Sequence, residues 1–121
     1  MGRLKGRVTM FTFMATYATP ANPEEFERRY REEHLPLLAR VPGLASCTVL
    51  KPSRQVVGTG ADIWMVALVN FADAAAFKAA AKTPEWAAAG ANIQDIAGAG
   101  WTAHLSESEA WDPAVAAGAG A

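Results

Sequence analysis

Val8-Thr9-Met10-Phe11-Thr12-Phe13-Met14-Ala15-Thr16-Tyr17 is the stretch on which the fold turns. At a period of two, Met10, Thr12, Met14 and Thr16 fall on one side, and Phe11, Phe13, Ala15 and Tyr17 on the other. Both sides are apolar or threonine, which is the pattern of a strand covered on both faces. Ile63-Trp64-Met65-Val66-Ala67-Leu68-Val69-Asn70-Phe71 reads the same way. Two such strands belong in the middle of a sheet, with both faces of that sheet hidden.

The segments on either side supply the helices. Asn22 is a good N-cap, Pro23 suits the first helical position, and Glu24 and Glu25 suit the positive end of a helix dipole. The helix is predicted to run to about Arg40, with Phe26, Tyr30, Leu37, Leu38 and Val41 as its buried stripe. Pro36 should kink it, or split it after His34. Pro42-Gly43 ends it, a strand follows from Ala45 to Pro52, and Gly58-Thr59-Gly60 marks a hairpin connection. Asp73 caps a second helix running to about Ala81. Thr83-Pro84 starts a short helix carrying Trp86, whose small neighbours Ala87 to Ala91 suggest a lid. The last strand is placed at Gly98 to Leu105, and Ser106 to Ala121 reads as an acidic, then Ala/Gly-rich tail.

The order is β-α-β-β-α-β, the ferredoxin-like α+β arrangement: a four-stranded antiparallel sheet with both helices on one face. The division is a domain at 1–107 and a tail at 108–121. The other sheet face is expected to close on a second copy, giving a homodimer through the open face.

Composition narrows the partners. The chain has 121 residues, enough for one domain, and 51% of them are apolar, a surplus that an interface or an apolar pocket would absorb. Lys and Arg number 11 against 12 Asp and Glu, with no basic stripe interleaved with aromatics, so nucleic acid is not an expected partner. No apolar run reaches the ~18 residues of a membrane span. Cys47 is the single cysteine, so no internal disulfide can form, and a reducing cytoplasm is the expected location.

Among the groups that carry chemistry, His34 stands out. It lies four residues after Tyr30, on the helix face turned to the sheet, where partial desolvation can place its proton affinity near working pH. Position alone equally allows a histidine whose ring only bonds a backbone carbonyl beside Pro36. Tyr30 and Tyr17 could orient it or polarise a substrate oxygen, or could be core tyrosines with hydroxyls at the rim. Phe13, Trp64, Met65, Trp86 and Trp101 are expected as pocket walls or core. His104 reads as a surface or interface residue and Cys47 as a small buried hydrophobe. No ligand spacing supports a metal, and Gly98-Ala99-Gly100 precedes a strand and cannot cradle phosphate.

Asn22-Pro23, Phe26, Tyr30, His34-Leu35-Pro36-Leu37 and Val41-Pro42-Gly43-Leu44 together resemble the EthD-like family of the dimeric α/β-barrel superfamily. Phe71-Ala72-Asp73 and Thr83-Pro84-Glu85-Trp86 agree, and the resemblance spans about Met10 to Leu105. It implies a homodimer with a pocket between sheet and helices in each subunit. Relatives include lactone isomerases, aromatic polyketide cyclases, dehydratases and cofactor-free monooxygenases. The histidine matching His34 is their usual acid–base candidate. The implied function is metal-free, cofactor-independent acid–base chemistry (cyclisation, dehydration or isomerisation) on a small hydrophobic, aromatic or polyketide-like carbonyl compound. The alternatives are cofactor-free oxygenation of a phenol and non-catalytic binding of haem or a hydrophobic metabolite. The long extension from Ser106 departs from the commoner family pattern.

Overall fold

A computed structural model describes residues 7–116; the first six residues and the end of the tail, 117–121, lie outside the described residues. The strands are β1 (Arg7–Tyr17), β2 (Leu44–Leu50), β3 (Met65–Phe71) and β4 (Trp101–Trp111). They form one antiparallel sheet in the order β2-β3-β1-β4. The two strands that read as greasy on both sides, β1 and β3, are therefore the inner pair, and the fold is the expected ferredoxin-like α+β arrangement.

The first helical segment has three parts. Asn22 Oδ1 accepts the Glu25 N–H at 3.1 Å and opens α1 (Pro23–Arg29). A π-helical turn follows over Tyr30–His34, closed by the Leu35 N–H donating to the Tyr30 carbonyl, and α2 (Leu35–Leu38) completes the run. Pro36 explains the change of pitch. It has no N–H, and in a straight helix its ring would press on the carbonyl four residues back. Widening by one residue absorbs both defects. The break falls at His34, where the proline reading put it, but as a widened turn.

The second helical segment departs from expectation. Asp73 caps α3 (Ala74–Ala80), accepting the Ala76 N–H at 2.8 Å. Thr83 caps α4, which runs for 14 residues from Pro84 to Ala97, not for a short lid. Alanine is the strongest helix former, so Ala87 to Ala91 extend the helix, and Ala89 and Ile93 are buried beneath it. Strand β4 also runs further than expected, pairing with β1 from Tyr17↔Trp101 to Arg7↔Trp111. The Ser-Glu alternation at 106–109 resembles a tail, yet it suits an edge strand that meets water. The strand thus crosses the 107 boundary, and a short α5 (Pro113–Ala116) follows. Among the described residues no helix is long and apolar enough to cross a membrane.

Helices α1 to α4 lie on one sheet face and form two core clusters with it. One gathers Ala15, Tyr17, Phe26, Tyr30, Met65 and Ile93. The other gathers Leu38, Val41, Val69, Phe71, Ala80 and Ala89. The opposite sheet face carries half-buried Met10, Met14, Val66 and Leu68, but it is not uniformly greasy. Thr12 Oγ1 donates to Asn70 Oδ1 at 2.6 Å, Asn70 Nδ2 donates to Ser46 Oγ at 3.0 Å, and Ser108 Oγ lies 3.0 Å from Thr12 Oγ1. This hydrogen-bonded line crosses all four strands.

Candidate functional site

The seam between the two clusters is hollow. A cavity of about 200 Å³ opens there, bounded by Phe13 and Tyr17 of β1, Ala67 and Val69 of β3, and Ala89 and Ile93 of α4. Tyr30, His34 and Leu38 form one wall, and Trp86, Gly90 and Trp101 complete the lining. The hollow exists because small side chains, Ala67, Ala89 and Gly90, stand where larger ones would fill it. Rigid rings shape the rest. Trp101 stacks on Tyr17 with centroids 5.7 Å apart, and Trp86 meets Phe13 edge-on at 5.0 Å. The Trp101 indole N–H donates to Gln94 Oε1 at 3.3 Å, which fixes the ring.

Gly90 sits mid-helix at this cavity, and a Cβ there would meet no heavy atom within 4 Å. A glycine inside a helix costs roughly 0.5–1 kcal/mol relative to alanine. Gly90→Ala should therefore raise unfolding stability by about that amount, read as a higher denaturant midpoint at unchanged slope. Gly90→Leu should instead project into the hollow and weaken ligand binding.

The π-helical turn presents Tyr30 and His34 side by side, with ring centroids 5.1 Å apart. His34 is only 6% exposed. Its Nδ1 lies 3.2 Å from Asn92 Oδ1 on α4. Asn92 Nδ2 donates to Glu33 Oε1 at 3.1 Å, and Arg29 grips the Glu33 carboxylate through Nε and Nη2, the latter at 2.9 Å. Arg29 Nη2 also reaches Asp95 Oδ2 at 2.8 Å. Burial lowers the proton affinity of His34 below the usual histidine value, and the Asn92 hydrogen bond offsets part of this. The imidazole is thus neutral at pH 7. The Arg29 hydrogen bond, chiefly, holds Glu33 below the ordinary carboxylate range, so Glu33 is ionised.

The two phenols are also neutral. Burial pushes both Tyr17 and Tyr30 well above the ordinary tyrosine range, and the adjacent Tyr30 raises Tyr17 further. The Tyr30 hydroxyl is buried, and among the described residues it makes no well-formed hydrogen bond, with the Tyr17 hydroxyl as its polar neighbour. An orphaned polar group of this kind costs roughly 1–3 kcal/mol, and it lies on the cavity wall, where an occupant could accept its proton.

Of the residues singled out in the sequence, Tyr17, Tyr30, His34, Phe13, Trp86 and Trp101 meet at this cavity. Two do not. Met65 is 2% exposed and fills the first core cluster, and Trp64, just before β3, packs edge-on against Phe26 at 5.0 Å. Both stand at the start of β3, whereas the cavity lies over Ala67 and Val69 further along it. Cys47 lies half-buried against the second cluster, outside the lining, and burial raises its thiol above the usual range, so it is no ready nucleophile. His104, exposed and paired with Met14, lies on the opposite sheet face. Among the described residues no three of His, Cys, Asp and Glu gather to hold a metal. The sequence reading missed Asn92. With its segment taken as a short helix, nothing placed it opposite His34. A 14-residue helix puts Ala89, Asn92 and Ile93 on one face.

Comparison with known proteins places this geometry. The EthD domain model matches residues 18–97. No curated protein sequence matches the chain. Among solved structures, an EthD-family protein of Bacillus halodurans is 24% identical, with a TM-score of 0.72 over 82% of this chain and 98% of that one. The cofactor-independent oxygenase SnoaB of Streptomyces nogalater is similar at 21% identity and a TM-score of 0.57, over 84% of this chain and 92% of that one. A dimeric ferredoxin-like protein of unknown function from Thermobifida fusca is similar at 15% identity and 0.60, over 82% and 91%.

Proposed function

Because the chain belongs to the EthD domain family, we propose that it is a cofactor-independent enzyme moving a proton on a small, uncharged aromatic carbonyl or phenolic compound. One observation carries this reading: a neutral imidazole and a buried phenol O–H that makes no well-formed hydrogen bond among the described residues lie on the same aromatic-walled hollow. His34 Nε2 takes a proton from the carbon beside the carbonyl. The Tyr30 hydroxyl, or that of Tyr17, hydrogen-bonds to the oxygen on which negative charge grows. The imidazolium then returns the proton to another atom, which completes an isomerisation or opens a cyclisation or dehydration. The rings hold the substrate in place, which supplies rate by positioning.

Size and charge narrow the substrate. Among the described residues the ionisable lining groups are Tyr17, Tyr30 and His34, none of which offers a fixed positive charge to an anion. A dry engineered cavity of about 150 Å³ holds benzene, so about 200 Å³ suits one ring with substituents or two small rings. A porphyrin is larger than this hollow as it stands, which weighs against the haem-binding alternative. A second reading has specific support in the likeness to the Streptomyces nogalater oxygenase. There the same base would deprotonate a phenol, and the electron-rich phenolate would reduce dioxygen. We also infer that a second copy covers the open sheet face, since apolar Met10, Met14, Val66 and Leu68 lie along it and the Thermobifida fusca relative is dimeric.

The test is a panel of one- and two-ring aromatic ketones, lactones and phenols in D₂O, with deuterium incorporation followed by NMR and oxygen uptake by electrode. Incorporation without oxygen uptake supports proton shuttling; oxygen uptake supports the second reading. Absence of both, with saturable quenching of tryptophan fluorescence, would leave a binder and overturn the enzyme. The pH profile has a definite sign. A base must be unprotonated, and the folded-state pKa of His34 lies below the ordinary value of about 6.5. The rate should be flat above about 6.5 and fall only in more acid solution. Stability follows the same direction. The unfolded chain binds the His34 proton first, so the contribution of this residue is intact above about 6.5 and is lost as pH falls through the lower folded value.

A further inference from the structure

We propose that Asn92 is a positioning residue: backed by Glu33 and Arg29, it holds His34 in the Nδ1–H tautomer and leaves bare Nε2 for the cavity. This deepens the proton-transfer reading and rests on it for its purpose, but the tautomer can be measured without any substrate.

The argument is one of donors and acceptors. A side-chain amide can face either way, and the network decides which. Glu33, ionised and gripped by Arg29, can only accept, so Asn92 must turn its Nδ2 toward Glu33. The reverse orientation would set oxygen against oxygen. Asn92 Oδ1 then faces His34 Nδ1 at 3.2 Å, and an amide oxygen can only accept. Nδ1 therefore carries the hydrogen, and the second nitrogen keeps its lone pair. The surroundings leave the ring uncharged. Tyr30 from its own turn and Tyr17 from β1 are neutral phenols, and Glu33, Arg29 and Asp95 are joined to it by hydrogen bonds through the Asn92 amide.

The arrangement also differs from a histidine backed by a carboxylate. A carboxylate on Nδ1 would stabilise the imidazolium and raise the titration midpoint. An amide fixes the orientation with no such charge, so the ring stays a bare base at neutral pH. The carboxylate is present, but one residue further back, where it orients Asn92.

Two-bond ¹H–¹⁵N spectra of the histidine rings, recorded above the titration midpoint, distinguish protonated from bare nitrogens. In the wild-type protein Nδ1 of His34 should be protonated and Nε2 bare; exposed His104 serves as the internal reference. Asn92→Leu should lose this preference and give Nε2–H or a mixture. The double variant Asn92→Asp/Glu33→Gln, which puts a carboxylate on Nδ1 without setting it against Glu33, should keep Nδ1–H and raise the His34 midpoint by about 1–3 pH units, the usual effect of an adjacent opposite charge. Glu33→Gln, at a partly exposed position that leaves the core intact, should also lose the preference, because glutamine lets the Asn92 amide turn over. It decides the matter if Asn92→Leu fails to fold. A wild-type ring found as Nε2–H, or a preference unchanged in Asn92→Leu or in Glu33→Gln, would overturn the proposal. If the tautomer behaves as described and no panel compound reacts, the proton-transfer reading fails while the positioning role stands.

Discussion

Replacing His34 by alanine is expected to slow turnover about 10²–10⁴-fold, the usual contribution of one acid–base group. The loss should fall on kcat, because the aromatic walls that hold the substrate, Phe13, Trp86 and Trp101, are untouched. His34→Gln is the control for shape. Its amide can still pair with Asn92, so packing is kept while the base is lost, and its rate should be as low as that of the alanine variant. The alanine variant leaves a ring-sized void beside Asn92, and added imidazole should enter it and recover part of the rate. Tryptophan fluorescence titration checks that binding survives in both. A rate within threefold of wild type in either variant would remove His34 from the mechanism, and the catalytic reading with it.

The second large effect concerns assembly. Leu68→Arg is expected to convert a two-chain particle to a single chain, read by sedimentation. Leu68 lies half-buried on the open face, beside Met14 on β1. Under two-fold symmetry each substitution occurs in both copies, so two unpaired charges enter one interface. Removing the counter-charge from one buried ion costs about 3–5 kcal/mol, and two uncompensated charges exceed what an interface of ordinary strength retains. Leu68 points away from the helices, so thermal unfolding of the single chain should remain cooperative. A wild-type chain that sediments as a monomer would refute the dimer, as would a Leu68→Arg variant that stays paired.

The parts of the fold legible in the sequence are those in which one residue type has one physical use. Asn22, Asp73 and Thr83 have the composition and placing of caps, and each accepts the backbone N–H three residues on. β1 and β3 were read as inner strands because neither of their faces is polar enough for water. The rest depended on neighbours. The small residues after Trp86 suit a loose lid or a helix, and only burial of Ala89 and Ile93 makes them a helix. Ser106-Glu107-Ser108-Glu109 suits a tail or an edge strand, and only pairing with β1 makes it a strand. At the site, Pro36 announced a break after His34 and the Tyr30–His34 spacing a shared face, while the widened turn itself was not legible. Asn92 did not announce itself, because its use comes from Glu33, 59 residues away.

The line of hydrogen bonds through Ser46, Asn70, Thr12 and Ser108 bears on the proposed pairing of subunits. Each of these groups already has a partner within the chain, so covering the line strands few donors; the Ser46 O–H and the second Asn70 N–H are the ones that still call for an acceptor. The greasy residues beside them can then gain from contact at little polar cost. A lone subunit is left with a closed, self-contented surface and no raw edge there, so subunits could separate and re-pair without the sheet losing its internal order.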